Sequence, residues 1–297
     1  MLSREVEQVG RFERHTLPDG SVVFYEPDPA HKYFGEVKES AKAEGGYSFV
    51  RDSRLTGVST PTKALDSNID GLLYWAAKLD QTGIADLVST QLEAGCDIGD
   101  LDWLGSQPSI AAALRDAELT WTHVRDRAAT RGTNVHERTF LALATGKRPP
   151  SLSALSEEER GYGQAAIRWW RDRKPEPLCA EQVTAHLERG IAGRFDLLAK
   201  IDSDRVLVDA KTREKGQDRR SDHAQLPGYE LCNVACGIGP SERQLVLLLM
   251  PDGSYREVEC VGTEADFLAA LTAYRRGSKL EKRMRAAARA ERETVPA

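Results

Sequence analysis

Residues 179–211 hold three strand-length runs in succession, "CAEQVTAHL", "IAGRFDLLAKI" and "RVLVDAK", separated only by the short turns "ERG" and "DSD". Each run alternates or stays apolar over a strand length, and breaks this short connect neighbouring strands. The segment reads as strands joined by tight turns, and its second hairpin carries charge where apolar residues would be expected. Asp196 lies in one strand, and Asp209 and Lys211 lie in the other. A turn centred on Ser203 sets Asp196 opposite Ala210, and hence beside both Asp209 and Lys211, which share a face because the strand period is two. Two carboxylates and an ammonium then converge on one spot.

Around this hairpin the pattern is mixed. The first fifty residues contain "SVVFYE" and "YSFV", separated by "PDG" and "EGG", and read as strands with turns. From about Pro61 the spacing becomes helical, through "TKALDSNIDGLLYWAAKLDQTGIADLV", "SIAAALRDAELTWTHVRDRAATRG" and "TNVHERTFLALATG". Thr133 or Asn134 would cap the last of these, and Gly146 would stop it. A further helix, "EEERGYGQAAIRWWRDRK", runs up to Pro175. After the hairpins come the helix "AQLPGYELCNVACG", the strand "RQLVLLLM", the turn "PDG", the strand "SYREVEC" and an amphipathic helix from about Thr263. Helix, three strands, helix, strand is the order of an α/β core. The expected division is an N-terminal β-rich extension (1–50), one domain (51–275) whose motif core is 131–260, and a basic C-terminal helix or tail (276–297).

Composition narrows the function classes. With 29% charged residues among 297 and no uncharged apolar run near the roughly 20 residues that span a bilayer, the chain is expected to be soluble. The charged start "MLSREVEQVGRFERH" is unlike a signal peptide, so an intracellular, cytoplasmic setting follows. Cys96, Cys179, Cys232, Cys236 and Cys260 contain no C-x-x-C pair, which points to reduced thiols rather than a disulfide framework or zinc site. The net charge of −5 is not the footprint of a nucleic-acid binder, yet it is polarised. Residues 91–120 carry six acidic groups against Arg115 alone, whereas "KTREKGQDRR" at 211–220 carries five basic against two acidic. The tail from Arg275 is basic again, and reads first as a solvated helix, second as a contact for DNA or a partner.

The chemistry suited to Asp196, Asp209 and Lys211 is that of phosphate esters. Paired carboxylate oxygens are hard ligands for Mg²⁺ or Mn²⁺. Such an ion offsets the carboxylate repulsion, acidifies a bound water and stabilises charge developing on a phosphate. Lys211, one step from a ligand, can orient that water or neutralise the phosphorane. A D-x-K tripeptide alone is common on solvated strands; what gives it meaning is its setting, "GRFD" at 193–196, "VDAK" at 208–211 and "QLPGY" at 225–229.

This set resembles the PD-(D/E)XK nuclease superfamily, and within it the RecB-like branch with its G-x-x-D, D/E-x-K and Q-x-x-x-Y signature. His136 in "GTNVHE" is similar to that branch's upstream histidine, and Glu181 in "CAEQVTAH" to an acidic residue on the preceding strand. The resemblance implies a restriction-endonuclease-like α/β core, a central mixed β-sheet flanked by helices, here with a helical N-terminal portion. It further implies that His136, Asp196, Asp209 and the Ala210 carbonyl ligate the metal, that Glu181 joins Asp196, Asp209 and Lys211 in catalysis, and that Gln225 and Tyr229 hold DNA or brace the catalytic strand. Pro227 between them fits a helix that starts near Gln225. Some RecB-like nucleases carry an iron–sulfur cluster; the cysteine spacing here does not match, and none is expected.

The implied activity is a Mg²⁺-dependent exonuclease on linear DNA, in recombination, repair or phage DNA processing, with a phage-encoded origin in a bacterial host fitting the length. The alternatives are a structure- or sequence-specific endonuclease of the same fold and an inactive nucleic-acid-binding module. DNA is the implied partner, with a homo-oligomer or a recombination protein as further candidates and no role for a membrane.

Overall fold

The computed structural model describes residues 6–27, 32–39, 47–50, 54–66, 69–97, 101–146 and 151–294. The chain divides into two compact units, Met1–Asp66 with His136–Ala297, and Ser67–Val135.

The chain opens with an antiparallel sheet of four strands in sequential order, β1 (Val6–Val9), β2 (Phe12–Thr16), β3 (Val22–Pro27) and β4 (Lys32–Gly35). The anticipated "PDG" turn joins β2 to β3, and Gly20 there has φ +83°, a conformation that favours glycine. β5 (Val37–Glu39) and β6 (Tyr47–Phe49) form a separate pair. The expected "EGG" turn lies outside the described residues. A short β7 (Thr56–Gly57) and one helical turn, α1 (Ser59–Thr62), complete this part.

The second unit is helical: α2 (Ile69–Glu93), α3 (Gln107–Asp116) and α4 (Trp121–Val135). One expected boundary moves. Thr133 and Asn134 do not cap a new helix but lie inside α4, and the break falls earlier, at Glu118, whose φ is +57°. Gly132 is tolerated within the helix at a modest propensity cost, whereas a left-handed residue ends one.

Residues His136–Phe140 form a π-helical turn, followed by α5 (Leu141–Ala144) and the stop at Gly146, φ +70°, as anticipated. α6 (Glu157–Arg173) is opened by Glu159, whose carboxylate accepts the Ser156 N–H at 3.0 Å, and ends at left-handed Lys174 before Pro175.

The central sheet contains β8 (Glu176–His186), β9 (Ile191–Ile201), β10 (Asp204–Thr212), β11 (Arg243–Leu249) and β12 (Tyr255–Glu259). The order is β12-β11-β10-β9-β7, with β8 also on β9. β10 and β11 are parallel, joined by α7 (Arg220–Ala235), while β8, β9 and β10 are successively antiparallel. α7 packs on β8 to β11, α6 on β11 and β12, and α8 (Glu264–Thr294) on α7. This is the mixed sheet with flanking helices expected of a restriction-endonuclease-like core. Phe195, Leu198, Leu207, Val246 and Leu248 of the sheet share one apolar cluster with Leu226, Tyr229 and Cys232 of α7 and Phe267 of α8; Leu17, Val23, Tyr25 and Phe34 of the N-terminal sheet belong to it too. Among the described residues no helix is long and apolar enough to cross a membrane.

α7 starts five residues earlier than anticipated, so Pro227 is interior to it rather than in its first turn. Asp222 sets the start by accepting the Arg219 N–H at 3.0 Å. Proline removes the N–H that would have reached the His223 carbonyl one turn back. The thiol of Cys260, 3.1 Å away, donates to that carbonyl instead.

Candidate active site

The β9–β10 turn is tighter by one residue than the sequence suggested. Asp202 and Ser203 form a two-residue loop with φ of +52° and +78°, both positive as a type I′ hairpin requires. The ladder runs from Asp204↔Ile201 to Val208↔Leu197, and one further step puts Asp196 across from Asp209. Ala210, the expected partner, would have put Asp196 on the wrong face, because a slip of one residue reverses every side chain. The register follows from the two-residue turn rather than from a turn centred on Ser203.

At Asp196 the ladder opens. β9 pairs with β10 over 197–201 and with β7 at 191–192, leaving 193–196 unpaired on that side. In place of a backbone carbonyl, Asp196 Oδ2 accepts the Ala210 N–H at 2.7 Å. His136 Nε2–H donates to the Ala210 carbonyl at 2.8 Å. Both backbone polar groups of Ala210, one on each of the peptide groups that flank its Cα, are therefore held by site residues. The imidazole's other nitrogen, Nδ1, faces Asp196 Oδ1 at 3.6 Å and Glu181 Oε1 at 3.9 Å.

Glu181 lies across β8–β9 from Asp196, between the pairs Ala180↔Leu197 and Gln182↔Phe195. Its φ is +49°, a left-handed conformation inside a strand and uncommon for any residue with a Cβ. Arg194 Nε holds its other oxygen, Oε2, at 3.0 Å. Nothing in the sequence marked Arg194 beyond its place in "GRFD".

Asp209 is 1% exposed. Its Oδ2 lies 2.6 Å from Lys211 Nζ, and Gln225 Nε2–H donates to Oδ1 at 3.3 Å and to the Tyr229 hydroxyl at 2.7 Å. Gln225 and Tyr229, four apart on α7, are both buried and brace the strand that carries Asp209. The motif's glycines make room for this: a Cβ on Gly193 would lie 2.5 Å from Tyr229 Cε1, and one on Gly228 2.6 Å from Phe267 Cε2. Arg213 and buried Asp222, a further charge pair at 2.8 Å, also escaped the sequence reading. Trp169 is fully buried and stacks on Phe140 at 5.9 Å, a core role.

The electrostatics follow from crowding in a low-dielectric place. Burial pulls the His136 imidazole toward its neutral form, yet the carboxylates of Asp196 and Glu181 outweigh it and raise the pKa to about 9. Burial lifts the Asp209 carboxyl to about 6 against the pull of Lys211. Lys211 is itself shifted upward, because Asp209, Asp196 and Asp222 surround it despite its own desolvation. The site is thus a knot of carboxylates balanced by a protonated imidazole and an ammonium.

His136, Glu181 and Asp196 place one ligand atom each within 4.8 Å of one another. An imidazole with two carboxylates, partly buried, is a donor set suited to a divalent cation, which would replace the imidazole proton as the balancing charge. Asp209 is next in line but turned toward Lys211 and Gln225.

No family model and no curated protein sequence matches this chain. Among solved structures it is similar to an alkaline exonuclease from Laribacter hongkongensis, at 15% identity and a TM-score of 0.28, over 52% of this chain and 84% of that one. It is also similar to SSO0001, at 17% identity and a TM-score of 0.27, over 48% of this chain and 68% of that one.

Proposed function

We propose that the protein is a metal-dependent DNA nuclease, acting as an exonuclease on linear DNA. The observation that carries this reading is the meeting of Glu181, Asp196 and Asp209 from three adjacent strands with His136 and Lys211 around the opened β9–β10 ladder. In this reading His136, Asp196 and Asp209 hold Mg²⁺ or Mn²⁺, with Glu181 beside them and the Ala210 carbonyl as a further ligand. When bound, the ion supplies an acidified water and a positive centre for the scissile phosphate. Lys211, charged at neutral pH, holds the attacking water and offsets charge on the phosphate. Gln225 and Tyr229 keep Asp209 in place, their burial favouring support over direct contact with DNA. The fitting biological setting is recombination, repair or phage DNA processing.

The test is incubation of the purified protein with linear and with covalently closed circular DNA in Mg²⁺ or Mn²⁺, with Lys211→Ala as control. The expected result is metal-dependent loss of the linear DNA only, abolished in the variant. Cutting of the closed circle would convert the reading to an endonuclease, and no metal-dependent loss of either substrate would refute it.

A further inference from the structure

Arg194 joins the N-terminal sheet to the site. Its Nε bonds Glu181 Oε2 at 3.0 Å, and its guanidinium carbon stands 5.3 Å from the centre of the Tyr25 ring. Tyr25, on β3, is fully buried and stacked on Phe34 of β4 at 5.0 Å. Glu181 in turn presents Oε1 to His136 Nδ1 at 3.9 Å. A continuous line of contacts therefore runs from two aromatic rings of the N-terminal sheet, through one guanidinium, to a carboxylate of the His136–Glu181–Asp196 cluster.

Two features make this more than a passing ion pair. Glu181 sits in a left-handed conformation, which a strand does not supply unaided, so a partner has to hold its carboxylate in one direction. Its partner must also carry positive charge over a ring face while donating to the carboxylate, as Arg194 does. A guanidinium does both at once; an ammonium carries the same charge but has neither the plane nor the fork.

We propose that Arg194, seated on Tyr25, is a positioning residue: it aims Glu181 at the His136–Asp196 cluster, and the N-terminal sheet is thereby part of the active site's construction. This rests on the metal-dependent reading given above. Carboxylates that support a metal are oriented by their own partners, and disturbing such a partner typically weakens metal binding by about 10–100-fold.

The experiment is a double-mutant cycle read by calorimetric titration of Mn²⁺ into the full chain without DNA, with DNA cleavage kinetics measured alongside. Arg194→Lys keeps the charge and removes the planar contact; it is expected to weaken Mn²⁺ binding about tenfold and to lower kcat while KM for DNA stays within about twofold. In a Glu181→Gln background the same change should have no further effect, because its influence passes through Glu181. Tyr25→Leu should weaken Mn²⁺ binding in the same direction by less, and Tyr25→Phe, which keeps the ring face, should not. Losses that add in the double variant, or a rise in KM alone, as a direct phosphate contact would give, overturn the proposal. Coupled Mn²⁺ binding in a protein that cuts no DNA would instead leave this assignment standing and sink the nuclease reading.

Discussion

The two larger sheets bury their strands differently. In the N-terminal sheet, β2 and β3 hide some residues and leave the others half exposed or in water, as a sheet covered on one side does. In the central sheet β9 is buried at every position except Arg194, Asp196 and Lys200. A polar group on a covered strand has to find its partners inside the protein. Asp196 finds the Ala210 N–H and His136, and Arg194 finds Glu181 and Tyr25. The two half-buried charges of β9 are therefore held by other side chains, whereas Glu7 and Arg14 of the N-terminal sheet lie at the surface.

That contrast can be broken most sharply at Asp196. Asp196→Asn keeps the shape and the acceptor for the Ala210 N–H but removes the charge, and DNA cleavage should fall by about 10²–10³-fold with little change in thermal midpoint. A loss of folding instead of activity would mean that the charge is structural. Next come two glycines replaced by alanine, one within β9 and one in the β2–β3 turn. Gly193→Ala drives a methyl to within 2.5 Å of the Tyr229 ring and should cost about 1–3 kcal/mol in denaturant unfolding, with a drop in activity because Tyr229 supports Gln225 and Asp209. Gly20→Ala has open space but a φ of +83°, so about 1 kcal/mol and unaltered activity are expected. Equal effects on activity would erase the distinction between the sheets.

The pH dependence of metal binding sharpens it further. His136, with its pKa raised to about 9, is protonated in the metal-free protein at neutral pH and must give up that proton to a metal. Apparent Mn²⁺ affinity should rise about tenfold per pH unit between the Asp209 value of about 6 and the His136 value of about 9, and more steeply below it, where Asp209 also carries a proton. Calorimetry in buffers of different ionisation enthalpy counts the protons; a flat profile across that window would remove His136 from the metal site. The smallest effect is expected outside both sheets. The side chains of α8 from Ser278 to Arg289 are all exposed or half-exposed, so ending the chain after Gly277 should leave the thermal midpoint within about 2 °C. A larger drop would show that this basic helix is held by a contact of its own.

Much of the site was legible because its signals are local. Asp209 and Lys211 share a strand, Gln225 and Tyr229 share a helix face, and the ordered motifs ran from His136 to Tyr229. The strands of the central sheet could be read because aliphatic runs between tight turns have few other solutions. β1, β2, β4 and β5 were not read individually, since strands with one wet face are diluted by residues such as Glu7, Gln8, Glu13 and Arg14. The start of α7 was missed because Pro227 looks like a first-turn residue, and only the distant Cys260 thiol explains how it is accommodated inside the helix.

What the sequence by itself determined is the strands and helices of the central core, their order, and the chemical character of the residues gathered near the hairpin, because propensity, periodicity and charge act over a few neighbouring residues. Tertiary structure decided the rest: the β9–β10 register, which stops one step short of Asp196 and Asp209, the hold of Asp196 and His136 on the N–H and C=O of Ala210, and the line from Tyr25 through Arg194 to Glu181. Those are angstrom-scale contacts between residues far apart in the chain, and they exist only once a turn's φ angles and the packing of a second sheet have been settled.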